Sequence, residues 1–266
     1  MHSSRECSFV PVGPRYCGAT YRRLPAHWKR YTVALYPGNR MIRDVAFRRW
    51  LLLLVLCVMV VVACVCCIDR PAAELFNKYL RNTAVSGWIK SLLAPLVLIP
   101  VSALLFLFGS GCWLLSGRQL GRWTQKPLLC SWSTIWALAA EFVCKDIFGR
   151  GWPDPTYIES HLYGFRFLHA GPHWTSFPSG TSTIAAALSA TIWLVAPRLR
   201  LPILFLIVLI CAGVVVTNEH WISDVIAGAF LGASIGWMTV SMLGSHLRLA
   251  SAGNSSVSGA WSDVDG

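Results

Sequence analysis

Three polar clusters interrupt an otherwise apolar chain, and the residues they hold are those that phosphoryl transfer needs. The first, EFVCKDIFGRGWPDP, runs from Glu141 through Lys145 and Arg150 to Asp154; the second, SFPSGTS, covers Ser176 to Ser182; the third, NEHWISD, covers Asn218 to Asp224. Lys145 and Arg150 offer a point charge and a forked charge for phosphate oxygens. Ser179 and Gly180 present a hydroxyl and unhindered backbone N–H groups at a helix start, where the dipole favours an anion. His220 can attack phosphorus as a nucleophile if Asp224 fixes its tautomer and supports the charge that develops. Such chemistry needs no cofactor, and the clusters carry no set of ligands with metal spacing.

Each cluster also has a plain structural account. Lys145 could pair with Glu141, one helical turn before it, at the headgroup level. Pro178-Ser179-Gly180 could be only a helix start with Ser as N-cap, and His220 with Asp224 an interfacial His beside a capping Asp. What favours a site is that all three clusters abut the ends of apolar spans on the same side of a membrane.

That membrane follows from composition. Of 266 residues 55% are apolar and 13% charged, against roughly 25% charged in a soluble domain. A bilayer core about 30 Å thick needs about 20 apolar residues per helix, and six stretches qualify: Trp50 to Ile68, Leu92 to Leu115, Leu128 to Cys144, Thr181 to Ala196, Leu201 to Thr217 and Val225 to Leu243. The fourth is short and rich in Ala, Ser and Thr, as suits a helix packed among other helices. The net charge of +11 is not read as nucleic-acid binding, because ten of the 23 cations precede residue 50 and form a membrane-flanking arm. With the N-terminus inside, inner segments carry 16 Lys and Arg and outer segments 7, which places both termini in the cytoplasm and the clusters outside. Residues 1–49 read as a basic arm, 50–243 as a six-helix membrane domain and 244–266 as a flexible Ser/Gly-rich tail. Met41, ahead of a basic run and an apolar stretch, has the form of a second start with a signal anchor. Of ten cysteines, eight fall in apolar stretches as small hydrophobes, so they say nothing of redox compartment.

The clusters resemble the motifs of the type-2 phosphatidic acid phosphatase superfamily of membrane lipid phosphatases, whose relatives include vanadium haloperoxidases. The family pattern is Lys, six residues, Arg-Pro; then Pro-Ser-Gly-His; then Ser-Arg, five residues, His, three residues, Asp. Lys145 followed by DIFGRG and Trp152-Pro153 answers the first, Pro178-Ser179-Gly180-Thr181 the second, and His220-WIS-Asp224 the third. The resemblance implies an all-α bundle of six transmembrane helices with its active site at the outer membrane face. It also implies metal-independent dephosphorylation through a phosphohistidine, with His220 and Asp224 catalytic and Lys145, Arg150, Ser179 and Gly180 holding phosphate. Three positions depart from the pattern: Trp152 replaces the first Arg, Thr181 the His, and Gly213-Val214 the Ser-Arg pair.

The missing His would be the general acid. An alcohol leaving group, with a pKa near roughly 15.7 for water-like oxygen, needs a proton, whereas a phosphate leaving group with a pKa near roughly 6 departs as an anion. The departure therefore favours a lipid diphosphate substrate, such as a polyprenyl diphosphate or a diphosphorylated lipid A, unless His173 or His169 serves as a displaced acid. The same motifs suit two alternatives: a lipid phosphotransferase, or a non-catalytic membrane protein that binds lipid phosphates. A bacterial inner membrane, with the site periplasmic, fits the signal anchor and the outward-facing clusters.

Overall fold

The computed structural model describes residues 40 to 259 except 82, 119, 169, 170 and 172, with side chains described from 44 to 244 apart from those positions and 122. The basic arm before residue 40 and His169 therefore lie outside the described residues. The chain divides into two compact units, Met1–Arg49 and Trp50–Gly266; of the first, the described part is helical.

Eight helices of ten or more residues make up the described architecture, beside the single-turn segment Ile158–Ser160: α1 (Arg40–Ala63), α2 (Asp69–Leu80), α3 (Ala84–Leu93), α4 (Leu98–Leu115), α5 (Arg122–Phe148), α6 (Gly180–Val195), α7 (Arg200–Val216) and α8 (Ile222–Gly259). No strand forms among the described residues, only two isolated bridges at Arg150. Among the described residues five stretches are long and apolar enough to cross a membrane: Asp44–Leu80, Ala84–Leu115, Trp123–Phe148, Pro197–Val216 and Ile222–Gly244. The fourth expected span is the shorter apolar helix Gly180–Val195. Leu52, Leu105, Phe108 and Phe205 point outward, an arrangement costly in water and favourable against lipid.

Two interruptions follow from local chemistry. Pro95 opens a 3-10 turn, Ala94–Val97, between α3 and α4, because proline removes a ladder donor. A π-helical turn, Cys64–Ile68, separates α1 from α2; the Val65 carbonyl accepts a hydrogen bond from the Tyr163 hydroxyl at 2.5 Å. The last helix continues to Gly259, through residues 244–259 expected as tail; that stretch contains no proline to break it.

The core is built around α6, which packs against α8, α5 and α7. Its small residues, among them Ala185, Ala186, Ala187 and Thr191, are buried. On α8 a glycine stripe at four-residue spacing faces it. A Cβ on Gly228 would sit 2.6 Å from the Ser179 carbonyl and one on Gly236 2.5 Å from that of Ala187, while one on Gly232 would overlap the Thr183 carbonyl. The backbones meet because there is nothing between them, the close approach that small residues at every fourth position allow in membranes. This contact sets the start of α6 beside the start of α8, where two of the three polar clusters lie.

Candidate active site

The first cluster begins on α5, whose last two turns carry Glu141 and Lys145 on one face. Gly149, at φ +50°, ends the helix in the left-handed conformation that glycine adopts freely. Arg150 follows, and its backbone bridges the segments at Phe165 and Thr175, with Ser176 N–H donating to the Arg150 carbonyl at 2.9 Å. The first and second clusters are thereby tied together. Ser179 then caps α6, and its backbone N–H donates to the Asp224 carbonyl at 3.1 Å, which brings in the third. His220 sits in the tight turn between α7 and α8, its N–H bonded to the Val214 carbonyl.

His220, in that turn, faces Asp224 on the first turn of α8 without a direct hydrogen bond: Nδ1 lies 3.7 Å from Oδ2. Ser176 stands between them. Its hydroxyl donates to Asp224 Oδ2 at 2.5 Å and lies 3.5 Å from His220 Nδ1. The indole of Trp152 covers the imidazole, with ring centroids 4.8 Å apart, and Lys145 Nζ lies 5.9 Å from the Trp152 ring.

Behind Asp224 is a buried charge cluster. Arg150 Nη1 donates to Asp224 Oδ1 and to Ser223 Oγ, both at 2.5 Å, and Nη2 donates to Asp69 Oδ2 at 2.7 Å and Tyr163 at 3.1 Å. Burial works against the Arg150 charge, but Asp224 and Asp69 more than offset it, so the guanidinium pKa rises above its ordinary value. Tyr163, desolvated chiefly by burial, has its phenol pushed up to about 12 and stays a donor to Val65.

The cavity lies on the other side of His220. About 540 Å³ in volume, it is lined at its polar end by Lys90, Glu141, Lys145, Trp152, Gly180, Thr181, Glu219 and His220. The rest of its lining is apolar, formed by Leu93, Ala94, Leu96, Val97, Ile99 and Pro100 with Leu138, Ile184 and Ala185. Lys145 pairs with Glu141 at 2.5 Å. The N–H groups of Gly180 and Thr181, first in α6, have no intrahelical acceptors, as at any helix start. Among the described residues no three His, Cys, Asp or Glu side chains are arranged to hold a metal ion.

Of the residues singled out in the sequence, Lys145, Gly180 and His220 line this cavity, and Asp224 lies beside His220. Three expectations change. Arg150, expected to hold phosphate, does not line the cavity; it is 1% exposed and committed to two carboxylates that are themselves fully buried and need a cation. The Ser179 hydroxyl is likewise buried, capping α6 through Ser182, which leaves backbone N–H groups as the donors of that motif. His173 is exposed and outside the cavity lining; its carbonyl accepts from Thr156.

Asp69, Ser176, Ser223, Lys90 and Glu219 were not anticipated. Asp69 had a signal, an acidic residue closing an apolar span. Lys90, which has no ion pair among the described residues, had none: its place in the cavity depends on how α3 packs against α7.

Comparison with known proteins identifies the family. Residues 127–248 match the PAP2 superfamily. The chain is 30% identical over 183 residues to the lipid A 1-phosphatase of Rhizobium etli, covering 65% of this chain and 71% of that protein. A crystal structure of a transmembrane PAP2-type phosphatidylglycerolphosphate phosphatase from Bacillus subtilis matches 71% of this chain and 93% of its own, at 21% identity and a TM-score of 0.46.

Proposed function

Given that the chain belongs to the PAP2 superfamily and is an integral membrane protein, we propose that it is a lipid-phosphate phosphatase working through a phosphohistidine on His220. The observation that carries this reading is the cavity beside His220, whose lining combines cations and helix-start N–H groups with apolar side chains. A phosphate at the polar end meets Lys145 and the N-terminus of α6, and a lipid chain continues along the apolar wall. Lys90 supplies a further cation at the same end.

In this mechanism His220 Nε2 attacks phosphorus, the phosphorus–oxygen bond to the lipid breaks, and water then cleaves the phosphorus–nitrogen bond to release phosphate. Ser176 holds the tautomer by taking a hydrogen bond from Nδ1 while donating to Asp224; such contacts are often long in unliganded enzymes and tighten with substrate. Asp224 supports the imidazolium, and Arg150 positions Asp224. The orientation argued from Lys and Arg places both termini in the cytoplasm and the site outside, with α6 as a sixth span. That orientation and the name of the Rhizobium relative support a bacterial inner membrane and a lipid A-like phosphate or diphosphate as the reading.

Phosphate release by detergent-purified protein from lipid A, polyprenyl diphosphate, phosphatidate and phosphatidylglycerophosphate, with chelator present, tests the proposal. Release that is lost in His220→Ala supports it. Lipid binding without release would favour the non-catalytic reading, which Trp152, Thr181 and Val214 recommend. Turnover only on adding an acceptor lipid would mark a phosphotransferase.

A further inference from the structure

Thr181 lines the cavity where the family's second-motif histidine belongs, so no imidazole is present there to protonate a leaving group. A carboxyl group is. Glu141, on α5, presses against the start of α6: a Cβ added to Gly180 would overlap its carboxylate. The side chain is 7% exposed and lines the same cavity as His220 and Lys145. Its two oxygens differ. Oε1 holds Lys145, whereas Oε2 is buried and has no hydrogen-bond partner.

A buried carboxylate oxygen without a donor is unfavourable, and two events can satisfy it: a ligand brings a donor, or the oxygen takes a proton. An ionised phosphate brings none. A proton shared with the departing oxygen is the remaining way to satisfy the buried, unpartnered Oε2. From this geometry we infer that Glu141 is the general acid and base of the reaction, in place of the absent histidine; the inference rests on the reading of His220 as nucleophile. As the His220 nitrogen bonds to phosphorus and the phosphorus–oxygen bond to the lipid breaks, Glu141 gives its proton to the departing oxygen, which leaves as an alcohol. The resulting carboxylate then takes a proton from the water that attacks phosphohistidine, and phosphate departs as the phosphorus–nitrogen bond breaks. Protons balance over the cycle. With an acid in place, ordinary lipid phosphomonoesters are substrates, and the preference for diphosphates loses its premise.

The alternative role for Glu141 is to hold Lys145 and nothing more. Leaving-group dependence separates the two, read as kcat/KM in detergent for the full chain with lipid phosphomonoesters and with para-nitrophenyl phosphate, whose leaving group needs no proton. Glu141→Gln should lose about 100-fold or more on the lipid esters, the usual contribution of a general acid, and less than about fivefold on the nitrophenyl ester. Equal losses on both, or no loss on either, would overturn the inference. Should the variant fail to fold, the wild type decides: kcat/KM across phosphate esters of rising alcohol pKa should be nearly flat, and a steep decline would refute an acid. His220→Ala in parallel keeps the premise separate, since activity surviving that change defeats the phosphohistidine reading whatever Glu141 does.

Discussion

The indole of Trp152 lies against the imidazole of His220, with ring centroids 4.8 Å apart and planes tilted by 37°. The family pattern has an arginine at that position, so this face of His220 meets an aromatic wall instead of a cation. The wall fixes the ring and excludes water from one face.

Trp152→Ala should free the imidazole and lower kcat/KM about tenfold, since aromatic pairs contribute about 0.5–1.5 kcal/mol beyond area burial and 1.36 kcal/mol is tenfold. Trp152→Phe should recover most of the loss. Steady-state kinetics on the preferred lipid checks both, and unchanged kinetics in the Ala variant would remove the indole from the mechanism.

Ser176 is fully buried between Asp224 and the His220 ring. Ser176→Ala should leave the fold intact, because Asp224 Oδ2 keeps the Trp221 N–H at 3.3 Å. Turnover should fall by about 10- to 100-fold, because a hydrogen bond to a charged group contributes about 1.5–3 kcal/mol and 1.36 kcal/mol is tenfold. Equal melting temperatures with reduced kcat would locate the effect in the site.

Arg150→Met should be a stability variant. It leaves Asp69 and Asp224, both fully buried, without their cation, and breaking a buried pair from one side costs about 3–5 kcal/mol. Asp69→Asn in the same chain should restore part of the loss by removing one orphaned charge. Thermal unfolding in detergent reads both, with an additive double variant counting against direct coupling.

Gly232→Ala should prevent proper assembly of the bundle, since its Cβ would overlap the Thr183 carbonyl, whereas Gly109→Ala meets nothing within 4 Å. The first should reduce the yield of monodisperse protein; the second should match wild type or exceed it slightly, because alanine favours a helix over glycine by about 1 kcal/mol. Size-exclusion profiles and melting curves of the pair compare the two glycines on equal chemistry.

Composition and spacing were enough to place this chain in a membrane, to mark its apolar spans and to nominate Lys145, Gly180, His220 and Asp224. Those features are local: apolar run length sets a span, four-residue spacing on a helix puts Glu141 with Lys145, and a short turn keeps His220 near Asp224. Tertiary structure alone decided the rest. Arg150 carries the charge of a phosphate ligand, yet its partner Asp69 lies 81 residues away in the chain, and which anion a cation meets depends on helix packing. The orphaned oxygen of Glu141, the serine between His220 and Asp224, and the contact of the α8 glycines with α6 have the same origin. Each joins residues remote in sequence, and only the closed bundle brings them within hydrogen-bond or van der Waals distance.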